Sequence, residues 1–195
     1  EMAGALQKGI LPEAVCNSHF TVRTLYEPAN LVSGDMYDYV WQEKQTCLVG
    51  YVADVMGHGV GAALQTSALR VLGRQTITGD GSLSEKVTQL NDDITPYLEK
   101  DSFAALMVFQ FDFSANLLTY VSAGINYFLV LSPSLSGVVK VPGIFVGMLP
   151  NMSYEQHTIP FYPGDSFFFL SDGMFELLTE EIIEKMIDYE TALKL

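Results

Sequence analysis

Tyr51-Val-Ala-Asp-Val-Met-Gly-His-Gly-Val-Gly-Ala-Ala-Leu64 is the stretch that decides how this chain is read. An apolar run that begins at Leu48 ends on an acid, Asp54. Glycines follow at 57, 59 and 61, and a helix-like pattern then begins. Residues 46–53 carry no charge and read as a buried strand. A carboxylate at the tip of such a strand, beside a glycine loop, suits a divalent cation and a phosphate. Two more acids stand in comparable contexts, Asp35 in Val32-Ser-Gly-Asp35 and Asp172 in Leu170-Ser-Asp-Gly173. The central expectation is that Asp35, Asp54 and Asp172 converge on one metal site.

Working outward, residues 19–26 alternate as a strand, with Phe20, Val22, Thr24 and Tyr26 on one face. Residues 35–42 read as a strand rich in Tyr and Trp, joined to 46–53 by a hairpin at Glu43-Lys-Gln45. From 60 to 78 the period becomes helical, and Leu64, Ala68, Val71 and Leu72 form the apolar stripe. Gly79-Asp-Gly81 stops that helix. Ser82 or Ser84 caps the next, which runs to about residue 99 with Val87, Leu90 and Ile94 inward. Residues 103–112, 116–122 and 127–132 read as strands with hairpin-sized gaps, hence an antiparallel meander. Further strands are expected over 138–141, 155–160 and 166–170, and a helix over 174–189. A short helix over 1–9 carries Leu6 and Ile10 on one side and stops before Pro12. Strands, two helices, strands and a helix is not the alternation of a parallel sheet. The order predicts an α/β fold, a sandwich of two antiparallel sheets flanked by helices.

The 195 residues suffice for one well-packed domain, and 49% hydrophobic against 17% charged residues describes a folded chain. A net charge of −13 repels nucleic acid, so no nucleic-acid partner is expected. It also repels a phosphorylated substrate unless cations offset the field, so phosphate chemistry here implies metal ions. The same charge reads equally as a solvated acidic surface. No apolar segment reaches the ~20 residues that span a bilayer, and no direct membrane insertion is expected. The chain does not open on Met and carries no secretory signal, so it is expected to be a piece of something longer. Cys16 and Cys47 are expected as free thiols in a reducing, cytoplasmic compartment.

Mg2+ and Mn2+ prefer hard oxygen ligands, and two such ions ~3.5–4 Å apart can share a bridging water and clamp a phosphoryl group. Such chemistry needs acids at strand ends, a close-approaching loop and no protein nucleophile. A backbone carbonyl just after Asp54 is a further candidate ligand. Competing readings stand beside this one. Ser33-Gly-Asp35 and Ser171-Asp-Gly173 are also ordinary turn sequences. The glycine loop at 57–61 also reads as a phosphate loop of dinucleotide type, ranked lower because parallel alternation is missing. His58 is either a general acid for the leaving oxygen or an idle loop residue. Asp38 reads first as a surface strand residue and second as an outer partner of the metal ligands. Tyr37, Tyr39, Trp41, Phe167, Phe168 and Phe169 read as sheet-face residues.

Together these segments resemble the bacterial PPM (PP2C-like) serine/threonine phosphatases of the SpoIIE and RsbU type. Gln7-Lys-Gly-Ile-Leu-Pro12 resembles the linker helix that enters the domain, Leu31-Val-Ser-Gly-Asp-Met-Tyr-Asp38 the first acidic motif and Ala53-Asp-Val-Met-Gly-His-Gly59 the second. Phe103-Ala-Ala-Leu-Met107, Pro142-Gly143, Pro163-Gly-Asp165 and Leu170-Ser-Asp-Gly173 resemble the later motifs. The resemblance implies an αββα sandwich, with residues 1–12 as linker helix and 13–195 as phosphatase domain. It implies Mn2+ or Mg2+ as cofactor, two ions in a complete site. Asp35, Asp54 and Asp172 match the family's catalytic, metal-binding aspartates, and the Val55 carbonyl matches its backbone ligand. The implied substrate is phosphoserine or phosphothreonine on a small STAS-type anti-sigma-factor antagonist or a similar phosphoprotein. An upstream sensory domain is a further implied partner. A homodimer through the N-terminal helix is a separate expectation, the alternative being that Leu6 and Ile10 pack on the domain. Two departures stand out. Ala123-Gly-Ile125 replaces the usual Ala-Gly-His, and nothing after Asp172 reads as the terminal strand with its paired acids. The domain is therefore expected to lack its C-terminal strand, through truncation or through an incomplete site. An incomplete site makes a catalytically inactive, partner-binding signalling module the alternative function.

Overall fold

The structure, a computed structural model, describes residues 2–28, 31–57, 59–133 and 137–173. The helix expected over 174–189 and His58 lie outside the described residues. In chain order the helices and strands are α1 (Met2–Gly9), β1 (Val15–Cys16), β2 (Thr21–Val22), β3 (Asp35–Gln42), β4 (Cys47–Val55), α2 (Gly59–Thr78), α3 (Leu83–Ile94), β5 (Ala104–Asp112), β6 (Leu117–Ala123), β7 (Tyr127–Leu131), β8 (Gly137–Lys140), β9 (His157–Pro160) and β10 (Ser166–Phe169).

The period-2 alternation of the central strands explains the layering. Val49, Tyr51, Ala53 and Val55 of β4 share a face with Ala104, Leu106 and Val108 of β5. That face packs on Leu69 and Ile77 of α2 and on Leu83, Val87, Leu90 and Ile94 of α3. Met107, Phe109 and Phe111 of β5 point the other way, into a second core with Phe128, Val130 and Phe161. A five-stranded sheet, ordered β3-β4-β5-β6-β9, therefore lies between the helices and a three-stranded sheet, ordered β10-β7-β8. Every strand pairing in both sheets is antiparallel, as the element order predicts. The inter-sheet core is aromatic: the Phe109 and Phe169 rings stack at 4.1 Å, and Phe111 meets Phe167 edge-on at 5.1 Å. Rings of this size bury on the order of 150–250 Å2 each, so this core carries much of the sandwich's cohesion.

The α3 helix starts where its sequence says. The Ser82 hydroxyl accepts from the Glu85 amide, and the Glu85 carboxylate accepts from the Ser82 amide at 2.8 Å, forming a capping box. Ser84, the other candidate cap, donates instead to the Tyr154 carbonyl. The helix ends at Ile94 rather than near 99, because residues 95–97 tighten into a 3-10 turn around Pro96.

Four expectations are corrected. The packed face of α2 is Ala62, Gln65, Thr66, Leu69, Gly73 and Ile77; of the expected stripe Ala68 and Leu72 pack partly on the same core, whereas Leu64 and Val71 are 68% and 66% exposed. A small residue is required where α2 meets Tyr51, because a Cβ on Gly73 would stand 2.9 Å from its hydroxyl. The meander breaks after β6. Residues 124–126 carry the chain from the large sheet to the small one, with the Phe145 ring pressed against Gly124 at φ +107°. The strand expected over 19–26 shrinks to β2, paired only with β1. Leu6 of α1 is 66% exposed rather than packed. No described helix is long and apolar enough to cross a membrane, and both cysteines are free.

Candidate metal centre

Asp35 opens β3 and Asp54 lies one residue from the end of β4, and the register sets them directly opposite each other. Like charges facing across a ladder are destabilising, so this pairing is a cost the fold carries. Alternation places Asp35 on the side of Tyr37, and Asp54 on the side of Val52, both of which pack toward the small sheet. Asp172 arrives from that sheet, three residues beyond β10. One potential ligand atom from each of Asp35, Asp54 and Asp172 lies within 4.8 Å of the others. The structure thus brings together the three acids that the sequence singled out.

Their electrostatics are unbalanced. Among the described residues no lysine or arginine pairs with any of the three; the ion pairs present go to Asp38. Burial pushes the Asp54 carboxyl up to about 7, and the charges of Asp35 and Asp172 push the same way. The Asp35 carboxylate is divided between two tasks. Its Oδ2 accepts from the Ser33 hydroxyl at 3.0 Å, while its Oδ1 is buried with no hydrogen-bond partner. Asp172 is exposed, and its Oδ1 accepts from the Gly173 amide at 2.6 Å.

Gly34 explains how these oxygens come so close. A Cβ there would stand 2.3 Å from the Val55 carbonyl oxygen and 3.0 Å from Asp54 Oδ1. Any side chain would fill the space that those two oxygens border. The Gly34 carbonyl accepts from the Val55 amide at 3.1 Å and from the Thr66 hydroxyl of α2 at 3.2 Å, which holds the turn in place. Gly57, at φ +105°, begins the loop from β4 into α2. β4 runs antiparallel to both its neighbours, so the parallel βαβ setting of a dinucleotide phosphate loop is not formed.

The donor set suits a hard cation. An orphaned buried carboxylate oxygen, a carboxyl with raised pKa and a carbonyl beside it are oxygen ligands of the kind Mg2+ and Mn2+ take. Asp38 plays neither part expected of it. It is fully buried on the helix side of β3 and held by Arg74 through two 2.7 Å hydrogen bonds, with Arg70 3.9 Å away. Its parity with Met36, together with arginines four apart on α2, was the available signal. Sequence reasoning missed Ser33, Gly34 and Gln7 as supports of Asp35. All three fall inside quoted motifs, but nothing in those motifs shows that Gln7 and Ser33 meet across 26 residues.

Comparison with known proteins agrees with this architecture. The fold is similar to that of RsbX in complex with magnesium, at a TM-score of 0.64 and 20% identity over 93% of this chain and 91% of that one. It is also similar to the SiaA-PP2C domain of Pseudomonas aeruginosa, at a TM-score of 0.66 and 19% identity over 98% and 86% of the two chains. These likenesses define the class of fold as PP2C-like. The family model of Stage II sporulation protein E (SpoIIE) matches residues 44–195, and the chain belongs to that family, among the bacterial PPM phosphatases of SpoIIE/RsbU type. Protein IcfG of Synechocystis is 28% identical over 89% of this chain and 32% of its own length. The phosphoserine phosphatase RsbP of Bacillus subtilis is 22% identical over 90% of this chain and 45% of its own length. The chain therefore spans less than half of either relative.

Proposed function

We propose that this domain is a metal-dependent protein phosphatase that hydrolyses phosphoserine or phosphothreonine on a small regulatory protein of the anti-sigma-factor antagonist type. The observation that carries the reading is the convergence of Asp35, Asp54 and Asp172 within 4.8 Å with no cationic side chain paired to them among the described residues. Three such acids repel each other and any phosphate, and a cation among them relieves both repulsions. Family membership and the phosphoserine phosphatase activity named for RsbP support the substrate class. The magnesium in the RsbX structure supports a hard divalent ion, Mg2+ or Mn2+.

In this reading Asp54, flanked by the other two acids, would hold the ions together with the unpartnered Oδ1 of Asp35, with Asp172 from the small sheet and with the Val55 carbonyl as backbone ligand. Divalent ions at such a site supply a water of lowered pKa and an electrostatic clamp on phosphoryl oxygens. The chain's own part is to hold its carboxylates in place, with Gly34 leaving the approach open. The overall reaction adds water across the phosphoester: a new P–O bond forms, and the seryl or threonyl oxygen leaves with its electron pair and takes a proton. The sensory domain upstream, the homodimer through α1 and the cytoplasmic location belong to the same proposal. Their support is family membership and the relatives' greater length.

The test is Mn2+-dependent release of phosphate from a phosphoserine peptide. Asp54→Asn is expected to lower turnover by at least about 100-fold while the protein stays folded, as loss of a bridging ligand should. Turnover that survives chelation, or that Asp54→Asn leaves intact, contradicts the mechanism. Absence of turnover in the wild type with the metal bound points instead to the partner-binding module.

A further inference from the structure

The amide of Gln7, in α1, grips both backbone groups of Ser33, in the loop before β3. Its Nε2 donates to the Ser33 carbonyl at 2.7 Å, and its Oε1 accepts from the Ser33 amide at 2.9 Å. Gln7 is only 8% exposed, so neither bond is readily exchanged for water. Ser33 passes the constraint on. Its hydroxyl accepts from the Asp35 amide at 3.1 Å and donates to Asp35 Oδ2 at 3.0 Å. With Oδ2 tied, Oδ1 is the oxygen left without a partner. The two-point grip is the side-chain counterpart of a strand pairing, and it holds the Ser33 backbone on both sides of its Cα.

Little else holds α1 so specifically. Eight residues form a marginal helix in water without tertiary support. Leu6 is 66% exposed and Ile10 is 37% exposed, so neither of these two apolar residues is buried. A Cβ on Gly4 would stand 2.2 Å from the Leu31 carbonyl oxygen, so the helix backbone itself lies against the 31–35 segment. Gln7 is the polar side chain of α1 that reaches the loop of Asp35.

We propose that Gln7 is a positioning residue for the metal centre: through the Ser33 backbone and hydroxyl it sets the rotamer of Asp35, so that cation affinity depends on the seating of α1. This inference rests on the proposed function only in taking Asp35 as a cation ligand. Outer partners that orient metal ligands are worth about 10–100-fold in affinity or activity. Gln7 acts one bond further out than Ser33, so its effect lies at the lower end.

The test is calorimetric titration of Mn2+ into the full chain, wild type and variants, with circular dichroism to check folding. Gln7→Met, which keeps length and removes both hydrogen bonds, is expected to weaken Mn2+ binding about 10-fold. Ser33→Ala is expected to match or exceed that loss, and Ser33→Thr, which keeps the hydroxyl, to restore affinity to within about threefold of wild type. Leu6→Ala, on the exposed side of the same helix, is expected to leave binding unchanged. Wild-type affinity in folded Gln7→Met overturns the proposal. If Gln7→Met does not fold, Ser33→Ala and Ser33→Thr carry the test, and equal affinity in both overturns it. Asp54→Asn separates this failure from failure of the metal-centre reading. Mn2+ affinity lost in Asp54→Asn but kept in Gln7→Met sinks the relay alone, whereas Mn2+ affinity unchanged in Asp54→Asn sinks the centre beneath it.

Discussion

Asp54 concentrates the argument at the scale of a single residue. In an unfolded chain it titrates near the ordinary value of 3.8, whereas burial and two neighbouring acids raise it to about 7 in the fold. Between those values the metal-free folded protein holds a proton that the unfolded chain has released. Its contribution to stability is therefore fully present below about pH 4 and is lost as pH rises through about 7. A divalent cation competes with that proton, so its binding strengthens over the same interval. The expected outcome is that the metal-free wild type loses melting temperature relative to Asp54→Asn as pH rises from about 4 to about 8, and that saturating Mn2+ removes the loss. Thermal scans of both proteins across that range check it. A wild-type-minus-variant difference that is flat with pH would show that the three acids do not strain one another.

At the scale of elements, α2 shows why a hydrophobic stripe does not always mark the buried face. Leu64 and Val71 are exposed, whereas Leu69 and Ile77 pack with Ala62, Thr66 and Gly73. Periodicity reports that a face is apolar, but the depth of contact depends on side chains from another element, here the Tyr51 ring beneath Gly73. The Asp38–Arg74 pair was hard to read for the same reason: parity with Met36 puts Asp38 on the helix side, but only the docked helix brings Arg74 to it. Asp38 is wholly buried and Arg74 partly exposed, so removing the arginine leaves a desolvated carboxylate with the Tyr39 amide at 2.9 Å and Arg70 at 3.9 Å. Arg74→Met is expected to cost about 2–3 kcal/mol, below the full range for buried pairs because one partner meets solvent. Tyr51→Phe is expected to fall within about 1 kcal/mol of neutral, because the hydroxyl it deletes is buried with no partner. Urea denaturation of both variants decides this, and a larger loss in Tyr51→Phe than in Arg74→Met would contradict the packing described. What was legible at this scale were the strands with uninterrupted alternation and the α3 cap at Ser82, where the signal is local.

At the scale of the whole molecule, the sandwich is what turns three distant acids into one site. Asp35 and Asp54 meet because β3 and β4 pair in that register, and Asp172 joins them because the small sheet packs over the large one. The order of elements announced two antiparallel sheets, and the strand-end position of each acid announced where they would gather. The crossing at residues 124–126 was hidden, because a short gap between two apolar strands looks the same whether the chain turns back or changes sheet. The supports of Asp35 were hidden too, since Gln7 and Ser33 are 26 residues apart and only the docked helix joins them. The central claim is that these carboxylates hold divalent cations for phosphoester hydrolysis. Its most direct measurement is the anomalous scattering of Mn2+ in crystals of the protein grown with that ion. The account predicts manganese peaks about 2.0–2.3 Å from carboxylate oxygens of both Asp35 and Asp54, with Asp172 on the same cluster. Manganese bound elsewhere, or none at this cluster when the ion is saturating, would contradict it.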